Sequence, residues 1–137
     1  MATGMDKEKT IKLLELFPEI DGEISVRRNI VSDLEQYHVS TGGDVPDYVK
    51  KEIKMYEEQI RELQLVKVEI LKEVSRLNLK QKKIIFGFYF HSMKWGKVAI
   101  KTNYSERQCK NIRDEAVGKL LKGFKKNQTL IEYEIKE

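Results

Sequence analysis

Cysteine, proline and long hydrophobic runs are scarce in this 137-residue chain. No stretch approaches the ~18 uninterrupted apolar residues of a membrane-spanning helix, and the N-terminal residues hold no hydrophobic signal core. The single cysteine excludes an intramolecular disulfide and a cysteine-based zinc site. These absences lead us to expect a cytoplasmic protein without a cofactor or a metal.

The composition favours helices. Charged residues make up 35% of the chain and hydrophobic residues 40%, with only two prolines. Abundant Lys, Glu, Leu and Ile are typical of exposed amphipathic helices rather than strands. The sequence therefore predicts an all-α protein.

The net charge of +4 is unevenly distributed. Residues 78–127 hold 13 Lys/Arg against 3 Asp/Glu, a net +10, whereas residues 1–77 sum to −4 and residues 128–137 to −2. We interpret these segments as a helical hairpin region, a DNA-binding domain and an acidic tail. The basic segment is a candidate footprint for a polyanion; the alternative is a solvated basic face without a ligand.

Before the basic segment, the pattern predicts a helical hairpin. Helices are expected over residues 6–17 and 18–38, and a Gly-Gly pair followed by a proline marks the next break. A long helix then carries a heptad stripe with a gap at Lys67. We expect the stripe to pack on the preceding helix; the alternative is a homodimer through residues 49–77. Its members are Val49, Ile53, Tyr56, Ile60, Leu63, Ile70, Val74 and Leu77.

The most apolar run of the chain lies between Ile84 and Phe90. The spacing of Asn78 and Gln81 before it predicts a capping box, in which each side chain bonds the other residue's backbone N–H. We interpret the run as a core helix, with a buried strand as the alternative.

The segment from Trp95 onward predicts a helix-turn-helix. Asn103 is expected in the turn, where a left-handed backbone is usually required and Asn is the best choice after Gly. Ser105 and Gln108 form a second capping box, and Tyr104 can pack onto Cys109 across the helix start.

The second helix of this motif is expected to be amphipathic. At ~100° per residue, one face is apolar and comprises Cys109, Ile112, Ala116 and Leu120. The opposite face comprises Arg107, Lys110, Asn111, Asp114 and Gly118. In a major groove, Arg can bond guanine, Asn adenine, and an acid cytosine, so this face is the candidate base-reading surface.

A further set of residues is expected to contact phosphates, which positions the protein without specifying sequence. These candidates are Lys94, Lys97, Lys101, Ser105, Arg113, Lys119 and Lys122. Simpler interpretations are that Asp114 pairs with Lys110 one turn away and that Trp95 is a core residue.

The string from Trp95 to Leu120, W-x-x-V-A-x-x-x-N-Y-S-E-R-Q-C-x-N-I-R-x-x-A-x-x-K-L, resembles phage transcriptional regulators of the RinA/ArpU type. Their helix-turn-helix is similar to sigma-factor region 4. The resemblance implies an activator of late genes in a phage or prophage, acting in the bacterial host cell on double-stranded DNA, with host RNA polymerase as a candidate second partner. It also implies that Glu106, with Arg107, Lys110 and Asn111, reads bases.

The chain departs from the pattern of that family at four positions. Asn103 replaces the usual Gly, and Thr102 stands where an apolar residue is expected. Ile100 stands where a polar residue is expected, and Gly96 where a helix former is usual. No segment resembles the sigma region that binds the second promoter element, so a complete sigma factor is not expected.

Two other functions remain open. A phage terminase small subunit would bind DNA for packaging, and a helical interaction module would act through its long helix. An enzyme is not expected, because His38 and His91 fall in different helices and Cys109 points into the core.

The alternation of Ile131, Tyr133 and Ile135 with charged residues predicts a short strand or an unstructured end, a second candidate dimer contact.

Overall fold

The computed structural model describes residues 4–40 and 42–136, and the side chains of all of these except residues 38–40. Every regular element in this part of the chain is helical, which confirms the predicted all-α fold. No helix among these residues is both long and apolar enough to cross a bilayer. The α-helices are α1 (Lys7–Leu16), α2 (Ile20–Ser40), α3 (Asp47–Ser75), α4 (Leu79–Ile85), α5 (Trp95–Thr102), α6 (Glu106–Phe124) and α7 (Gln128–Glu132).

The described residues form two compact units. The hairpin unit holds residues 19–65, and the larger unit holds residues 4–18 and 66–136. This division differs from the predicted boundary at residue 77. The reason is that α1 packs on α6 and that α3 from Val66 onward also belongs to the larger unit.

Helices α2 and α3 form the predicted hairpin. Nε of Arg27 donates to Oε1 of Gln59 at 2.9 Å, and Val31 and Ile60 are buried. The connection between the helices includes Gly42 at φ 74°, a left-handed conformation that disfavours other residues.

The heptad stripe of α3 is buried with one change of register. Its members up to Leu63, in the hairpin unit, and from Ile70 onward, in the larger unit, are buried or half-buried. Val66 is fully buried, and Lys67 beside it is half-buried. Val66 therefore fills the gap that the heptad pattern has at Lys67.

The predicted capping box begins α4. The backbone N–H of Gln81 donates to Oδ1 of Asn78 at 2.8 Å, and that of Asn78 donates to Oε1 of Gln81 at 3.3 Å. The apolar run that follows is helical, so the strand alternative is wrong. Its last part, Phe86–Phe90, is a π-helix, in which the N–H of His91 donates to the carbonyl of Phe86 at 2.8 Å.

Aromatic rings of the π-helix pack against two neighbouring parts of the chain, the residue after α1 and the start of α5. Phe90 stacks on Phe17, which follows α1, with ring centroids 4.2 Å apart. Phe88 stacks on Trp95 with centroids 4.0 Å apart. One wider turn thus ties the end of α1 and the start of α5 to the same core.

Helix α6 is central to the larger unit, since α1, α4, α5 and α7 all pack on it. Ala116, Val117, Leu120 and Phe124 are at most 1% exposed. Burial of an aromatic side chain such as Phe124 contributes about 1.5–3 kcal/mol, so the position of α6 is firmly fixed.

The predicted strand or unstructured end is wrong for residues 128–132, which form α7. Oδ1 of Asn127 accepts the N–H of Leu130 at 3.2 Å, and Leu130 is fully buried. A capped start and one deeply buried residue fix a helical turn despite the alternating pattern. Residues 133–136 have no regular structure.

Asn127 also links α7 to the end of α3. Its Nδ2 donates to Oε1 of Glu69 at 2.9 Å and to Oε2 of Glu73 at 3.2 Å. Glu73 accepts as well from Nη1 of Arg76 at 3.0 Å. The hydrogen bond from Asn127, more than the nearby lysine and arginine charges, lowers the pKa of Glu69.

Candidate nucleic-acid interface

Helices α5 and α6 and the tight turn between them have the local geometry that the sequence predicts. Helix α5 ends at Asn103, which adopts the left-handed conformation with φ 62° and ψ 21°. Oγ of Ser105 accepts the N–H of Gln108 at 3.1 Å, and Oε1 of Gln108 accepts the N–H of Ser105 at 2.9 Å. The turn and the start of α6 are therefore both specified by local chemistry.

A small apolar cluster holds α5 against α6. Ile84, Val98, Cys109 and Ile112 are buried together, and Tyr104 packs on them from the turn. The predicted inward face of α6 is confirmed, since its four members are at most 8% exposed. The free thiol of Cys109 is part of this core.

The structure shows the surroundings of Thr102 and Ile100, the two residues whose polarity departs from the expected pattern. The Thr102 hydroxyl donates to the carbonyl of Val98 at 2.8 Å and lies 3.5 Å from Sγ of Cys109, so a polar residue is accommodated in the half-buried position. Ile100 is 79% exposed on the outer face of α5. The structure offers no reason for an apolar residue there.

The opposite face of α6 is exposed as predicted. Arg107, Lys110 and Asn111 are exposed. Within the described chain, these three side chains have no hydrogen-bond or ion-pair partner. A Cβ added at Gly118 would meet nothing within 4 Å, so the surface beside it is open.

Asp114 belongs to this face but is not free. Its carboxylate accepts from Nε of Arg113 at 2.7 Å, so the suggested pairing of Asp114 with Lys110 is wrong. Neighbouring residues on a helix point ~100° apart, and Arg113 reaches around the helix to make this bond.

Glu106 is exposed in the first turn of α6. A Cβ added at Gly96 would lie 3.8 Å from its Oε2, so the carboxylate is close to the first turn of α5. Its position next to helix N-termini is electrostatically favourable. That placement is compatible with base contacts and does not require them.

The candidate phosphate contacts lie on α5 and α6 and at their starts. Nζ of Lys119 lies 3.3 Å from Oε1 of Gln81, and Ser105 caps α6 while its O–H can still donate. Arg113 differs from the others, being half-buried. The exposed candidates are Lys94, Lys97, Lys101, Ser105, Lys119 and Lys122.

Sequence analysis did not identify Lys80 as part of this surface. Its Nζ lies 5.6 Å from the centre of the Tyr104 ring, at the turn of the motif. Its place inside the basic segment was the only signal, because α4 and the turn are far apart in sequence.

The conformation of Asn103 makes a direct stability prediction. Replacing Asn103 by Gly should leave stability unchanged or raise it by up to about 1 kcal/mol, because Gly adopts positive φ without strain. Replacing it by Val should cost about 1–3 kcal/mol. Urea unfolding midpoints measure both, and equal midpoints for the two variants would show that the turn does not need this conformation.

No cluster of three or more potential metal-ligating side chains occurs in the part of the chain that the structure describes. No protein-family model, curated protein or solved structure matches the chain.

Proposed function

We propose that the protein is a sequence-specific DNA-binding transcriptional regulator. The observation that carries this proposal is the exposed face of α6. Arg107, Lys110 and Asn111 lie without partners, among the described residues, in the first two turns of a helix whose start is fixed by the Ser105 capping box. In a helix-turn-helix, these turns enter the major groove.

The dimensions and chemistry of α6 suit that role. An α-helix with its side chains is about 10–12 Å across, so α6 fits a major groove about 12 Å wide. Arg107 can donate two hydrogen bonds to guanine, and Asn111 can exchange two with adenine. Glu106 and Asp114 carry acceptors for a cytosine amino group, although the Arg113 pair fixes where Asp114 can reach.

The charge around α6 supports a nucleic-acid ligand over an uncharged partner. The basic segment carries a net +10, and exposed lysines occupy α5 and the second half of α6. Lys97 and Lys101 on α5 are placed for phosphates beside the groove, since the first helix of the motif crosses the DNA backbone.

The proposed biological role is activation of phage or prophage late genes in the cytoplasm of a bacterial host. Its support is the resemblance of residues 95–120 to regulators of the RinA/ArpU type. Host RNA polymerase would be the second partner of an activator. A homodimer through exposed residues of the 49–77 helix, and not through its buried stripe, would place two copies on a two-fold symmetric site.

Selection from a random duplex library tests the function without a known operator. The protein should enrich one motif and bind it at least ~10³-fold more tightly than a scrambled duplex. Mass measurement of the complex should give a monomer or dimer on DNA. No enriched motif would contradict the proposal, and absent DNA affinity would favour an interaction module. A large ring on DNA would favour a terminase small subunit.

A further inference from the structure

Arg113 has three sets of contacts inside the protein. Its guanidinium lies 5.3 Å from the centre of the Trp95 ring and 6.0 Å from that of Phe88. Its Nε also donates to the Asp114 carboxylate at 2.7 Å, and the Tyr89 hydroxyl is close enough to help raise the pKa of Arg113. One side chain thus joins the π-helix, the start of α5 and the exposed face of α6.

The environment favours a fixed, charged guanidinium. Only 25% of the Arg113 side chain is exposed. Burial by itself would lower the pKa of Arg113, but the hydrogen bonds with Asp114 and Tyr89 outweigh it and raise that pKa. A guanidinium can recognise a ligand by stacking and by hydrogen bonding. Arg113 uses both interactions within the protein, on aromatic rings and on a carboxylate.

The contact with Trp95 fixes one helix relative to the other. Trp95 is the first residue of α5. Its ring stacks on Phe88 with centroids 4.0 Å apart, and the Arg113 guanidinium lies against both rings. Because Arg113 is on α6, this stack sets how the first turn of α5 lies against α6. Arg113 therefore adds to the apolar cluster of Val98, Cys109 and Ile112 in fixing the first turn of α5 on α6.

The contact with Asp114 fixes a group on that face. The Asp114 side chain is 58% exposed and projects from α6. An unpaired carboxylate there would repel DNA phosphates and sample several rotamers. The charge of Arg113 balances that of the paired Asp114 carboxylate, and the hydrogen bond fixes its orientation. Its second oxygen can still accept from a cytosine amino group.

We propose that Arg113 is a positioning residue of the DNA-binding surface, and not a phosphate contact. It holds Trp95 and the Asp114 carboxylate in place, and it sets affinity and base preference through them. This inference rests on the proposed function. The sequence led us to expect that Arg113 binds phosphate; its contacts inside the protein favour the positioning role instead.

The test compares Arg113→Ala and Arg113→Lys with wild type on the selected duplex across a salt series. Both variants should bind about tenfold more weakly, because Lys lacks the planar fork that stacks and pairs. The slope of log affinity against log salt should stay unchanged, since no phosphate contact is lost. Lys97→Ala is the matched control for a phosphate contact, and its slope should fall by about 0.9.

A second readout does not depend on DNA. Trp95 is the only tryptophan, so intrinsic fluorescence reports its stack directly. Arg113→Ala should shift Trp95 emission to longer wavelength and increase quenching by acrylamide, whereas Lys97→Ala and Asp114→Asn should not. Circular dichroism verifies that each variant is folded.

The outcomes separate this inference from the proposed function. A slope reduced by about 0.9 in Arg113→Ala and restored in Arg113→Lys would show a phosphate contact and overturn the positioning role alone. Unchanged Trp95 fluorescence together with unchanged affinity would overturn it as well. If wild type binds no duplex, the proposed function fails and takes the DNA role of Arg113 with it.

Discussion

Replacing both Arg107 and Asn111 by alanine is expected to reduce sharply the preference for the selected duplex. Each bidentate base contact discriminates by about 1–3 kcal/mol, so losing two should reduce the preference for the selected over the scrambled duplex by roughly 30-fold to 10⁴-fold. The variant should stay folded, because both side chains are exposed and have no partner in the described chain. Competition binding against scrambled duplex measures the preference.

The chain offers a matched control pair for this experiment. Arg28 and Asn29 are also exposed, but they lie on α2 in the hairpin unit. The double variant Arg28→Ala plus Asn29→Ala removes the same side-chain types and should keep the preference. Equal loss in the two double variants would assign the effect to general charge and refute base reading by α6.

Replacing Asn127 by Asp should destabilise the protein by about 2–4 kcal/mol at neutral pH. Asp is as good a helix cap as Asn, so the start of α7 is retained. The change replaces the Nδ2 donor to Glu69 and Glu73 by a third carboxylate. Glu73 has only 8% of its side chain exposed, so the lost bond and the repulsion are poorly screened. Urea unfolding measures the difference.

The effect of pH on this variant has a defined sign. In the native protein, the hydrogen bond from Asn127 lowers the pKa of Glu69 below its usual 4.5. The resulting stabilisation is present above that value and is lost as the pH falls through the lowered pKa. In Asn127→Asp the neighbouring carboxylate should raise the pKa of Glu69 instead, so the penalty should shrink as the pH falls toward 4.5.

Two further variants isolate the cause. Asn127→Ser keeps a capping hydroxyl but brings no charge. It should cost less than Asn127→Asp and depend less on pH, because only the hydrogen bonds to Glu69 and Glu73 are lost. Asn29→Asp adds a carboxylate on the exposed surface of α2 and should change stability by at most about 0.5 kcal/mol. A penalty for Asn127→Asp that is the same at pH 7 and pH 4.5 would mean that the two glutamates do not feel the new charge.

Sequence alone predicts α5, the turn and α6 in detail because the chemistry that forms them is local. The capping boxes at Asn78 and Ser105 join residues three positions apart, and the left-handed turn at Asn103 depends on one residue. Helical periodicity then separates the buried from the exposed face of α6. No long-range information is needed for any of these features.

The features that sequence did not predict depend on distant partners. Arg113 packs on the rings of Trp95 and Phe88, which lie far from it along the chain, and no sequence pattern links the three residues. The assignment of α1 to the larger unit follows from which helix covers α6, a choice that amphipathic patterns leave open. In α7, the buried Leu130 and the Asn127 cap override an alternation typical of strands.

The most direct test of base reading combines a DNA change with a protein change. Each guanine of the selected site is replaced in turn by 7-deazaguanine, which removes the N7 acceptor from the major groove and preserves pairing. Wild-type protein should lose about 1–3 kcal/mol of binding free energy at one guanine, while Arg107→Ala should lose nothing further there. If every substitution weakens both proteins equally, or neither, Arg107 does not read guanine in the major groove and the account of α6 is contradicted.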